Sequence, residues 1–422
     1  MLIMTKLISC VGNPAIGPER FWGREKEIAL LAEHLREGKH VLLVAQRRIG
    51  KTSLVRELER RKEGQDIFLY VDLQQACNPA EFIAELSAAT RDYTDLWQKI
   101  KVFATNIIQG IGERIDSVAI SEVKVILKDG MTNVDWRKKG DELFTILGST
   151  NRPIIIVLDE LPILVNRLLR NGEGRISQKG ISNADGFMSW LRYQCTDDAN
   201  VNIRIVLTGS IGIEYILGQV GLSATINYLA PFELRPWSYD TAIGCLKALA
   251  AEKEIIYEDG ACELIVELLK CCIPHHVQLF FSHLYDDSKY RECSRISLLD
   301  VERVYSESML SPRGHAELSH YIERLKLSLD AISNALACDL LSETAVAGVL
   351  IREAAVFLSN QHLDESKRPD ENLHDVLTIL EHDGYLEPSS KRSYIFTSNL
   401  LRDWWRVRYT ASYVPFSERK GS

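Results

Sequence analysis

Four short runs of nearly continuous apolar residues mark the first half of the chain: His40–Ala45, Ile67–Asp72, Ile154–Asp159 and Ile203–Thr208. Strands that are buried on both faces of a parallel sheet read this way, without the alternation of a half-exposed strand. Amphipathic stretches such as Thr52–Arg61 and Pro79–Asp92 lie between them. Strand–helix alternation predicts an α/β domain with a parallel sheet. Residues 117–127 break the scheme, because Val118, Ile120, Val123, Val125 and Leu127 alternate with largely polar neighbours. That spacing predicts a short strand or hairpin inserted between the second and third core strands. From residue 236 the pattern turns helical, with apolar spacings of three and four in Tyr239–Glu252, Glu263–Lys270 and Ile273–Tyr285. Beyond residue 316 more helices follow. A helix His374–Asp383 then leads through Asp383-Gly384-Tyr385 into a strand Tyr385–Glu387, a polar turn Pro388–Arg392 and a strand Ser393–Thr397. Helix, helix and β-hairpin outline a winged helix. The expected domains are therefore a core over 11–235, a helical lid over 236–312 and a winged-helix domain over 316–422.

Composition changes this picture little. A chain of 422 residues is too long for one hydrophobic core. Hydrophobic content of 46% and charged content of 26% are those of an ordinary globular protein. No apolar run has the roughly 18 residues that a membrane helix needs, and Met1–Cys10 lacks the pattern of a signal peptide, so a cytoplasmic protein is expected. The nine cysteines are scattered, with Cys271–Cys272 the one close pair, and no C-x-x-C spacing suggests a zinc site or a disulfide framework. The net charge of −8 restricts any nucleic-acid binding to a local patch.

Candidate chemistry begins at Ala45-Gln46-Arg47-Arg48-Ile49-Gly50-Lys51-Thr52, between the first apolar run and an amphipathic helix. The pattern is a P-loop, G-x-x-x-x-G-K-[ST], with Ala45 in place of the first glycine. Backbone N–H groups of such a loop, with the helix N-terminus behind them, cradle phosphate oxygens. Gly50 permits close backbone approach, Lys51 brings charge to the β- and γ-phosphates, and Thr52 offers a hydroxyl to Mg²⁺. Arg47, Arg48, Ile49 and Ser53 complete the expected nucleotide-binding segment.

Ile154–Leu158 then runs into Asp159 and Glu160. At the end of a core strand of a P-loop fold, Asp159 would hold Mg²⁺ and Glu160 would orient and deprotonate the attacking water. The fourth run, Ile203–Thr208, ends in Thr208-Gly209-Ser210. Thr208 and Ser210 are the candidates for a polar residue that senses the γ-phosphate.

Together with Phe21-Trp22-Gly23-Arg24-Glu25-Lys26-Glu27, these motifs resemble the archaeal-type ATPases of the STAND class, relatives of the AAA+ and origin-recognition ATPases. Ile273-Pro274-His275-His276 sits at the place of the family's Gly-x-Pro turn, with Cys272 where the glycine would stand. Phe396–Trp405 is similar to the end of its winged-helix domain. The resemblance implies that ATP is the nucleotide, that Gly23 and Arg24 contact adenine and ribose, and that Pro274 packs near the base. It also implies an arginine supplied by a neighbouring subunit. Arg192 is one candidate for it, against an ordinary helix-surface arginine. Arg47 or Arg48 is either a second phosphate or subunit contact or a structural ion pair.

Two further clusters stand out. Residues 391–422 hold Lys391, Arg392, Arg402, Arg406, Arg408, Arg419 and Lys420 against Asp403 and Glu418, with Trp404, Trp405, Tyr409 and Tyr413 interleaved. A basic winged-helix edge fits a nucleic-acid backbone, while the tryptophans suit packing against the lid. His275, His276 and His283 lack the partners of a metal set and read as lid histidines, one of them within possible reach of nucleotide phosphates.

The function expected is an ATP-hydrolysing switch of STAND/AAA+ type, a homo-oligomer acting with a separate effector, as in bacterial or archaeal defence. The alternative is a DNA-associated ATPase. A module that binds nucleotide without turnover is disfavoured by Glu160.

Overall fold

The four apolar runs form, with a fifth strand, one parallel sheet. In chain order the elements around it are α1 (Glu25–Arg36), β1 (His40–Val44), α2 (Lys51–Arg61), β2 (Ile67–Asp72), α3 (Pro79–Ala89), α4 (Thr94–Gln109), α5 (Trp136–Gly148), β3 (Ile154–Asp159), α6 (Leu161–Leu169), α7 (Gln178–Thr196), β4 (Ile203–Thr208), α8 (Ile213–Gly218) and β5 (Leu229–Glu233). The order across the sheet is β2-β3-β4-β1-β5, and every neighbouring pair is parallel. This is an α/β fold of the P-loop type. The structure is a computed structural model that describes residues 7–109, 136–171, 175–209, 212–362, 369–389 and 392–419. The expected insertion at 117–127 lies outside the described residues.

The chain divides into two compact units. One comprises Arg24–Ala45 and Leu54–Leu234; the other comprises Met1–Gly23, Gln46–Ser53 and Arg235–Ser422. In the sheet unit, Leu69, Ile156, Leu158, Ile205 and Leu207 are almost fully buried and pack with Phe82, Phe144, Phe187 and Trp190. Trp190 meets Phe144 edge-on at 5.7 Å and Phe82 at 6.1 Å. Each large apolar side chain so buried contributes about 1.5–3 kcal/mol. Helix starts are set by local chemistry: Asn78 caps α3 by accepting from the Glu81 N–H, and Ser177 caps α7 by accepting from the Gly180 N–H.

The second unit continues with α9 (Tyr239–Glu252), β6 (Ile256–Tyr257), α10 (Ala261–Leu269), α11 (Pro274–Tyr290), β7 (Arg295–Ile296), α12 (Leu298–Val304), α13 (Pro312–Ser328), α14 (Ala331–Ala347), α15 (Arg352–Ser359) and α16 (Pro369–His382). The hairpin β8 (Leu386–Ser389) and β9 (Ser393–Phe396), helix α17 (Asn399–Tyr409) and a last short helix, α18 (Phe416–Arg419), follow. The polar turn is shorter than the expected Pro388–Arg392, because Pro388 pairs with Tyr394 and Ser389 with Ser393. A two-stranded hairpin is all edge, so a proline without an N–H is tolerated in it. Trp404 and Trp405 are fully buried on α17, and the Trp405 indole donates to the Ser342 hydroxyl of α14. Among the described residues, no helix is long and apolar enough to cross a membrane.

Candidate nucleotide site

β1 delivers the chain into the loop 45–50, and α2 begins at Lys51. The backbone explains the imperfect motif. Gly50 has φ +99°, which a residue with a side chain rarely adopts, whereas Ala45 is outside the positive-φ region and tolerates a methyl group. Arg48 turns the loop at φ +65°. Ile49 is buried, so its side chain anchors the loop. Lys51 Nζ donates to the Gln46 carbonyl at 3.1 Å. Ser53 Oγ accepts from the Ala15 N–H at 2.9 Å, which ties the N-terminal segment to the loop. Thr52 is half-buried in the first turn of α2. That turn carries no acidic side chain, which keeps the positive end of the helix available to anions.

The sheet unit presents a second constellation at the C-terminal ends of its strands. Asp159 ends β3, and both of its carboxylate oxygens accept hydrogen bonds: one from the Tyr70 hydroxyl of β2, the other from the Thr208 hydroxyl of β4. Two donors leave a carboxylate with acceptor capacity for two more, enough for water on a metal ion. Tyr70 also lies under the Arg56 guanidinium of α2, 4.1 Å from its ring centroid. Glu160 follows at φ 58°, ψ 28°, a left-handed conformation for a residue with a full side chain, and α6 starts directly after it. Such strain, of order 1–3 kcal/mol, collects at functional positions. Sequence reasoning missed Tyr70, since a tyrosine in a buried strand carries no signal until the register is known. The pairing Asp72↔Asp159 in the β2–β3 ladder sets that register.

The remaining expected residues are placed as follows. A Cβ on Gly23 would stand 2.5 Å from Thr241 Cγ2, so only glycine fits there. Arg24 is buried and ion-paired with Glu27 at 2.7 Å. Burial brings its guanidinium below its ordinary pKa, and the Glu27 hydrogen bond opposes this. Pro274 is buried at the first position of α11, where its missing N–H costs nothing. The preceding Cys272 carbonyl accepts from the Trp237 N–H at 3.0 Å. Arg192 donates to the Ala224 carbonyl at 2.9 Å. Arg48 pairs with Glu317 at 3.9 Å. Ser210 lies outside the described residues.

No family model matches the sequence, and no curated protein matches it. Solved structures match along almost the whole chain. The Walker-type ATPase PABY2304 of Pyrococcus abyssi gives a TM-score of 0.62 at 18% identity, over 94% of this chain and 99% of that one. The Aeropyrum pernix ORC2 protein, solved in ADPNP–ADP complexes, gives a TM-score of 0.54 at 14% identity, over 93% and 94%. At these identities the likeness is one of fold: this chain has the architecture shared by Walker-type and ORC ATPases.

Proposed function

We propose that the protein is an ATP-hydrolysing nucleotide switch. The observation that carries this reading is the Asp159 carboxylate, held by Tyr70 and Thr208 hydroxyls, with Glu160 strained beside it. A carboxylate held by two donors is fixed in one orientation, and a strained neighbour is retained where chemistry needs it.

In this reading the loop amides, Lys51 and the start of α2 bind the phosphates. Thr52 and Asp159 hold Mg²⁺, which would screen the phosphate charge. Glu160 orients and deprotonates water for attack on the γ-phosphorus, the bond to the β–γ bridging oxygen breaks and ADP leaves, and Thr208 is assigned, with Ser210, to γ-phosphate sensing. Gly23, Arg24 and Pro274 are assigned to the nucleoside side, and Ser210 and Arg192 to γ-phosphate sensing and a subunit contact. Lid and winged helix report the nucleotide state, in a homo-oligomer that works with a separate effector, a role suited to defence systems.

Glu160→Gln should bind ATP like the unaltered chain and lose turnover, and Lys51→Ala should lose binding. Equal turnover in Glu160→Gln would remove the assigned base.

A second reading, an ATPase that works on DNA, draws on the basic face of α17, where Arg406 is exposed and Arg408 partly so. With Trp404 and Trp405 buried, this face offers phosphate contacts rather than base stacking. Turnover stimulated by duplex DNA, with a steep salt dependence, would favour this reading over the effector-coupled one.

A further inference from the structure

Two pairs of residues noted in the sequence meet inside the second unit: Arg47-Arg48 of the phosphate loop and His275-His276 at the start of α11. Between them stands Glu317 of α13. Its Oε2 is 3.2 Å from His275 Nε2 and 3.9 Å from Arg48 Nη2. Burial, with the Arg48 charge, lowers the His275 imidazole to about 4, against the opposing pull of Glu317. At neutral pH it is therefore an uncharged donor, and the ion pair of Glu317 is the one with Arg48. His320, one turn along α13, is lowered to about 3 by burial and by Arg47 and Arg48. His276 is fully buried, and neither of its ring nitrogens has a hydrogen-bond partner among the described residues. Among the described residues, Arg48 Nε is buried without an acceptor, and the ion pair of its guanidinium is the long one to Glu317.

α13 carries this contact further. Two turns on, Arg324 grips Asp383 with two hydrogen bonds of 2.7 and 2.8 Å, both side chains buried. The next residue, Gly384, lies against the phosphate loop again: a Cβ there would come within 2.2 Å of Gln46 Nε2. The loop is thus touched at Gln46 and at Arg48 by two segments that the Arg324–Asp383 pair ties together.

We propose that Glu317 is a positioning residue that withholds Arg48 from nucleotide phosphates, so that a bound nucleotide must take Arg48 from Glu317 and thereby loosens α13 from the loop. The inference rests on the phosphate-loop reading above. A phosphate is a stronger, bidentate partner for a guanidinium than a carboxylate oxygen at 3.9 Å. Glu317, once released, keeps its hydrogen bond from His275.

The test is a titration of the full chain with a fluorescent ATP analogue. Glu317→Gln keeps size and hydrogen bonding but removes the charge, and should tighten binding about three- to fivefold, the scale of a partly exposed ion pair. The gain should vanish in 1 M salt, which screens the pair, and it should be absent from Arg48→Ala/Glu317→Gln relative to Arg48→Ala. Unchanged or weaker binding by Glu317→Gln, or a gain that persists in salt or without Arg48, overturns the proposal. Lys51→Ala separates the two levels. If it abolishes binding while Glu317→Gln gains nothing, the Glu317 role alone falls. If the unaltered chain binds no nucleotide, the phosphate-loop reading falls and takes the inference with it.

Discussion

The Thr208 hydroxyl donates to the Asp159 carboxylate across the β3–β4 ladder. Thr208 is almost fully buried, so no solvent competes for that bond. Hydrogen bonds to charged groups contribute about 1.5–3 kcal/mol. Thr208→Val, equal in shape, should lower stability by that amount, while Thr208→Ser stays near the original. Urea unfolding of the two variants decides; a Val variant as stable as the Ser variant would mean that the bond carries nothing.

Tyr70→Phe removes the second donor to Asp159 and leaves the ring under Arg56 in place. Outer partners of a metal-holding carboxylate typically matter 10–100-fold. On the proposed function, turnover should fall about tenfold, with nucleotide affinity little changed because the loop is untouched. A steady-state comparison with a parallel binding titration checks both halves.

Glu160 stands in the left-handed region. Glu160→Gly relieves that conformation and should raise stability by about 1 kcal/mol, while removing the proposed base. A thermal melt and a turnover assay on the same preparation should therefore move in opposite directions. A variant that is less stable would place the backbone strain elsewhere.

The Arg324–Asp383 pair is buried on both sides. Burial alone would raise the Asp383 carboxyl, but the Arg324 charge and the bonds from His382 and Arg324 bring it below the usual range. Breaking such a pair costs about 3–5 kcal/mol, because one charge is left stranded. Arg324→Met should show that loss, and Arg324→Met/Asp383→Leu should recover most of it. A double variant as weak as the single one would refute the stranded-charge account.

His40 accepts from the Ile205 N–H through Nδ1 and donates from Nε2 to the Cys195 carbonyl. That requires the neutral ring, and burial lowers its pKa to about 4. The folded value is below the unfolded one, so the unfolded chain binds the proton first as pH drops. Stability is full above about 6.5 and declines towards 4, by about 1.4 kcal/mol per pH unit for each such histidine. His40→Gln should flatten this slope in urea midpoints between pH 7.5 and 5. An unchanged slope would assign the acid sensitivity to other groups, such as His275 and His320.

Four strands of the sheet were legible because each is an unbroken apolar run. The fifth was not: Leu229–Glu233 contains Pro231 and ends in Glu233, and it survives as a strand because, among the described residues, it lies at the sheet edge beside β1 alone. Lys51, Thr52, Asp159 and Glu160 could be named as candidates because the chemistry proposed for them depends on spacing along the chain. Tyr70 and Glu317 could not, since each matters through a partner brought close by the fold. The missing first glycine of the loop brings no backbone conflict for a local reason, the ordinary backbone of Ala45, which no pattern of residue types contains.

The position of β1 has a consequence for how the protein is made. Its sheet neighbours are β4 and β5, and the His40–Ile205 bond alone spans 165 residues. At about 5–20 residues per second, a ribosome takes on the order of ten to thirty seconds to supply the first of those neighbours. Through that interval the apolar strand before the phosphate loop emerges with both edges open, a state prone to wrong pairing. The loop that follows β1 therefore gains the support of its sheet only after β4 has been made, and a chain truncated or stalled before that point displays the motif without it.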